Sequence, residues 1–157
     1  MKKLLIFFTV FIISSCVANE KLVESSPTKL QIISFDVVQK QLLVDANIPD
    51  NLQLLITRWF NDKIKLNGFD GSMVFKVTSF NQDITLINNG KRVDAFLSFK
   101  INLIRSSQTK KKFIEGSVSS YGELTGDFSL NDFDNIINNV HNDLILRLSK
   151  ELKSISN

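Results

Sequence analysis

The chain has 157 residues, with 19 basic and 16 acidic side chains, and this sets aside several classes at once. A near-balanced charge lacks the clustered excess of cations that a nucleic-acid binder needs, so no nucleic-acid partner is expected. One cysteine, one histidine and no disulfide pair leave little for thiol chemistry or a transition-metal site.

In chain order the first feature is an export signal. Met1-Lys2-Lys3 is a short positive stretch, and Leu4 to Ile13 is an apolar run interrupted only by Thr9. A stable membrane-spanning helix takes roughly 20 apolar residues, whereas this run has the length and flanks of a signal h-region. It ends in Ile13-Ser14-Ser15-Cys16, which resembles the lipobox of bacterial lipoproteins. The resemblance implies that a diacylglyceryl group alkylates the Cys16 thiol, that the chain is cut before Cys16, and that the new amine is acylated. Two or three acyl chains make a durable anchor, where one is marginal. By the same resemblance Val17, where an aspartate would retain an enteric lipoprotein in the inner membrane, favours the outer membrane and its periplasmic face. Cleavage removes Lys2 and Lys3 and no acid, leaving 17 basic against 16 acidic side chains.

Residues 16–29 then read as the lipidated cysteine and a flexible polar tether, and 30–157 as a single domain of α+β class. Leu30 to Val38, rich in β-branched residues and Phe, predicts a strand, and Gln39 to Ile48 is ambiguous. Asp50 after Pro49 predicts a helix N-cap. Leu52, Leu55, Ile56, Trp59, Phe60 and Ile64 recur at helical spacing, and Gly68 suits a C-terminal cap. Strands follow over Ser72–Phe80, Arg92–Arg105 and Lys112–Tyr121. The middle one alternates Val93, Ala95, Leu97, Phe99, Ile101 and Leu103 on one face, and Asn89-Gly90 before it suits a tight connection. Ser129 with Asp132 resembles a capping box opening a last helix, whose stripe runs from Phe133 to Leu152. The expected order is β-α-β-β-β-α, two helices packed on one face of a mixed or antiparallel four-stranded sheet.

Chemistry is sparse. The sequence has no phosphate-binding glycine loop, no nucleophile elbow and no zincin motif. His141 lies beside the last apolar stripe without a base or nucleophile at helical spacing, and reads as a satisfied surface or boundary histidine. Asp127, Asp132 and Asp134 gather where a helix start favours negative charge. The expectation is a non-enzymatic protein with no cofactor beyond the covalent lipid on Cys16. The basic residues Lys91-Arg92 in one hairpin and Lys110-Lys111-Lys112 in the next loop are candidates for contact with anionic lipid. The alternative for them is plain solvation or protection of a sheet edge.

The layout is similar to that of the lipopolysaccharide-assembly lipoproteins of Gram-negative outer membranes. It rests on the signal, a strand before helix Asp50–Leu66, the meander Ser72–Tyr121 and the helix opening at Ser129. The resemblance implies a lipid-anchored accessory of the outer-membrane barrel that inserts lipopolysaccharide, with the barrel or lipopolysaccharide as partner. Auxiliary lipoproteins of lipid-transport ABC systems and periplasmic lipid-binding modules share the layout and stand as the alternative.

Overall fold

The computed structural model describes residues 30–44, 47–105 and 111–156. Cys16, the signal, the tether and Lys110 lie outside the described residues. The elements are β1 (Ile33–Phe35), β2 (Gln39–Leu43), α1 (Asp50–Lys63), β3 (Ile64–Leu66), β4 (Ser72–Ile87), β5 (Gly90–Ile104), β6 (Lys112–Thr125) and α2 (Leu130–Ser156). Strands β2-β4-β5-β6 form a four-stranded mixed sheet, parallel between β2 and β4 and antiparallel elsewhere. The expected α+β architecture and its strand and helix order are present.

The register explains how the core forms. On β5 the residues Val93, Ala95, Leu97, Phe99 and Ile101 are buried, and their partners Phe75, Val77 and Val118 are buried beside them. Side chains two apart share a face, so this row makes the floor on which the helices sit. From α1 come Leu52, Ile56, Trp59 and Phe60, and from α2 come Val140, Leu144, Leu148 and Leu152. The opposite face carries Ser98, Lys100 and Asn102 beside Glu115 and Ser117. There Lys100 Nζ meets Glu115 Oε1 at 2.7 Å.

Several local expectations are corrected. The stretch Leu30–Val38 does not supply the sheet's first strand. It holds the short β1, which pairs in parallel with β3 in a separate two-stranded sheet, while β2 comes from the ambiguous segment. Ile64, counted in the helical stripe, is the first residue of β3. Asp50 is the first helical residue behind an N-cap at Pro49, and contributes charge in the first turn rather than a side-chain cap. Gly68 is not a helix cap. It is required because a Cβ there would run into the backbone of Asp36 and Val37. The carbonyls at the end of α1 are met instead by Lys40, whose Nζ donates to Phe60 O at 2.9 Å and Ile64 O at 2.6 Å.

Strand β4 runs on to Ile87, beyond the expected Phe80, and β6 to Thr125. The Asn51 side chain at the start of α1 lies against Asn138 and His141 of α2, and His141 against Gln82 of β4. The two helices therefore run in the same direction along the sheet. Both begin towards the end that carries the β4–β5 turn. Among the described residues no helix is long and apolar enough to cross a membrane.

Candidate functional site

At the opposite end of the sheet from that turn lies a cleft of about 450 Å³. Its walls are built by long-range convergence. The end of β1 and the turn after it give Phe35, Asp36 and Val37; the end of β5 gives Leu103 and Arg105; β6 gives Lys112 and Ile114. Asn67 after β3 and Ile155 near the end of α2 complete it. The β1 wall is held by two backbone hydrogen bonds, Asn67 N to Phe35 O at 3.1 Å and Gly68 N to Val37 O at 3.3 Å. Gly71, at φ +89°, turns the chain where a Cβ would collide with the carbonyl oxygen of Ile104.

Register sets the chemistry of this cleft. Lys112 stands opposite Leu103 and Ile114 opposite Ile101, so all four side chains leave the sheet on the helix side. The result is a mainly polar recess, to which Phe35, Val37, Leu103 and Ile114 contribute the smaller, apolar part of the surface, with Arg105 and Lys112 at its mouth. Arg105 Nη2 meets Asp36 Oδ2 at 2.7 Å, both side chains partly exposed. A guanidinium carries five donors, so this pairing leaves Arg105 with further hydrogen-bonding capacity. Lys112 has no ion pair among the described residues. The mouth therefore holds two cations against one carboxylate. A mainly polar recess with excess positive charge suits an anionic group.

The other basic candidates do not join this site. Lys111 is exposed just outside the cleft. Lys91 pairs with Leu124 at the far end of β5, about 40 Å away at the usual rise of a strand. Its ammonium sits 4.8 Å from the centre of the Phe133 ring. Arg92 is held by Asp94 at 2.7 Å and Glu123 at 3.3 Å and lies over Tyr121. Both cations at that end are occupied by intramolecular partners. Sequence reading missed Arg105 and Asp36 as a pair, because nothing local shows that residues so far apart in the chain will meet.

His141 is 1% exposed, an interior residue rather than a surface or boundary one. Nε2 donates to Gln82 Oε1 at 2.7 Å, the Asn51 amide approaches Nδ1 at 3.4 Å, and the ring meets Phe80 edge-on. Burial pushes its pKa below the ordinary imidazole value. The Asp132 carboxylate accepts from Ser129 N and Oγ at 2.9 and 2.7 Å, while Asp132 N donates back to Ser129 Oγ at 3.2 Å. That reciprocal cap accounts for Asp132, and those bonds hold its carboxyl below the usual carboxylate range. A second, more apolar groove of about 310 Å³ lies between the helices, lined by Leu30, Leu55, Trp59, Ile145 and Leu146.

No family model matches this chain, and no curated protein matches it. Solved structures of similar layout exist. A minor lipoprotein from Acinetobacter baumannii is 14% identical with a TM-score of 0.49, over 76% of this chain and 92% of that one. Rare lipoprotein B from Shewanella oneidensis is 8% identical with a TM-score of 0.45, over 73% and 90%. An uncharacterized lipoprotein B from Nitrosomonas europaea is 5% identical with a TM-score of 0.45, over 80% and 86%. These structural neighbours are bacterial lipoproteins; no residue of the cleft is carried over from them.

Proposed function

We propose that this chain is an exported lipoprotein, cut before Cys16 and held by lipid at the periplasmic face of the outer membrane. Its domain serves there as a non-enzymatic accessory in lipopolysaccharide assembly. The anchor rests on Ile13-Ser14-Ser15-Cys16 behind a short apolar run. The observation that supports the task is the cleft, where Arg105 and Lys112 stand together in a mainly polar recess. The lipid part of lipopolysaccharide carries phosphate groups, and the two cations of the cleft offer a complement to them.

The test is a pull-down of the tagged, membrane-extracted chain with mass spectrometry of what accompanies it. Parallel binding assays use vesicles with and without lipopolysaccharide. A large outer-membrane barrel at near-equal stoichiometry, with binding that depends on lipopolysaccharide, supports the reading. A second reading, an auxiliary lipoprotein of a lipid-transport ABC system or a lipid-binding module, is favoured by the apolar groove between the helices. An ABC transporter subunit in the pull-down, or bound neutral lipid alone, would replace the first reading with the second.

A further inference from the structure

The long strand β4 is covered on its β2 side for less than half its length. β2 pairs only with Ser72 to Lys76, and a bulge between Val77 and Ser79 follows at once. From Ser79 to Ile87 the strand has β5 on one side and no strand on the other, among the described residues. A strand alternates its backbone groups between its two sides, so this edge presents a row of N–H and C=O groups without a ladder partner. Edge strands in stable proteins are commonly guarded by lysine, by proline or by shortness. This one has none of these, and its single charged residue is Asp83.

The side chains beside the edge are equally unguarded. On the helix side Ile84 is 50% and Leu86 83% exposed, because α1 begins level with Gln82 and does not extend over them. On the other face Asp83 stands directly opposite Asp94 in register. Like charges so placed repel. Arg92 relieves Asp94 by a bidentate contact, but Asp83 has only the Asn81 amide, at 2.8 Å, and no cation among the described residues.

We propose that the Ser79–Ile87 edge of β4 is a docking site for an extended segment of a partner protein. The segment would be added as a fifth strand, its apolar side chains lying on Ile84 and Leu86 and a basic side chain facing Asp83. Charge selects this occupant over a second copy. Two β4 edges paired about a two-fold axis would bring both Asp83 carboxylates and their Asp94 neighbours together with no added cation. The site is at the opposite end of the sheet from the cleft, and the inference does not depend on what the cleft binds.

The experiment uses the full chain purified in detergent and three short probes. These are a peptide alternating lysine and valine, its glutamate–valine counterpart, and the lysine–valine peptide N-methylated at alternate amides. Binding is followed by fluorescence anisotropy and by amide exchange. The expected result is binding of the lysine–valine peptide about ten-fold tighter than its acidic counterpart, the size a few cross-strand pairs provide. Binding is lost with the N-methylated probe, exchange slows over Asn81 to Ile87, and Asp83→Lys reverses the preference. Equal binding of the N-methylated probe, or protection confined to another part of the domain, overturns the proposal. So does an edge whose exchange is already slow in the free protein, or one that becomes slow on self-association.

Discussion

His141 Nε2 donates to Gln82 Oε1 at 2.7 Å and so ties the last helix to the long strand β4 across the interior. The Asn51 amide approaches the other ring nitrogen, bringing in the start of α1. Three elements distant in sequence thus meet on one imidazole, which the geometry holds neutral with its proton on Nε2.

A pH dependence follows from that neutral ring. The unfolded imidazole takes up its proton near 6.5, whereas burial holds the folded one below that value. As pH falls through 6.5 the unfolded state therefore binds more protons than the folded state, and stability is lost. The loss ends only below the folded pKa, and its slope cannot exceed about 1.4 kcal/mol per pH unit for one proton. Thermal melts from pH 8 to pH 5 should show this decline, and His141→Gln should flatten it. An unchanged slope in that variant would place the titrating group elsewhere.

Lys40 sets a second expectation. Its ammonium accounts for the C-terminal carbonyls of α1 and lies 4.9 Å from the centre of the Phe60 ring. A cation at a helix C-terminus interacts favourably with the helix dipole, and its removal leaves partly buried acceptors unmet. Lys40→Met keeps the aliphatic stem and loses the charge. It should destabilise the domain by about 1–2 kcal/mol in urea unfolding. A cost near zero would mean that water serves these carbonyls equally well.

These two contacts mark where sequence reading stops. The alternation of Val93 to Leu103 and the stripe from Phe133 to Leu152 are periodic over many residues, so β5 and α2 were legible. The division of Leu30–Leu43 into β1 and β2 was not, because Ile33, Phe35 and Val37 keep one alternating apolar pattern across the turn that separates the strands. β3 was hidden because Ile64 falls in step with the helical stripe. The continuation of β4 past Phe80 was not legible, because a half-covered strand needs no apolar alternation over Asn81-Gln82-Asp83. Of the candidate site, Lys112 was named on its charge alone. Its meeting with Arg105 and Asp36 depends on the β5–β6 register and on β1, which no local pattern encodes.

The cleft itself predicts a charge signature. Arg105→Glu and Lys112→Glu change side chains at an open mouth, so both variants should fold with melting temperatures close to wild type. Together they should weaken binding to lipopolysaccharide-containing vesicles by about ten-fold or more at low salt, and by less at high salt. Asp36→Asn removes the competing carboxylate and should strengthen binding. If all three variants bind as wild type does, the cleft is not the lipid contact.

The aromatic cluster offers the most direct check of the core. Phe75, fully buried on β4, stacks on Phe99 with ring centres 5.5 Å apart and meets Trp59 edge-on at 5.7 Å. Phe99 in turn lies across Gly116 of β6, where a Cβ would come within 2.6 Å of the ring. A glycine in mid-strand is otherwise unfavourable, and here it makes room for that ring. Gly116→Ala should therefore overpack the site and cost about 1–3 kcal/mol. Phe99→Leu alone should also destabilise, since it takes away the stacking partner of Phe75. The two changes touch the same space, so the double variant should lose less than the sum of the single losses. Urea unfolding of the four-member cycle measures the difference. Strict additivity would mean that Gly116 is there for the backbone of β6 and not for the ring above it.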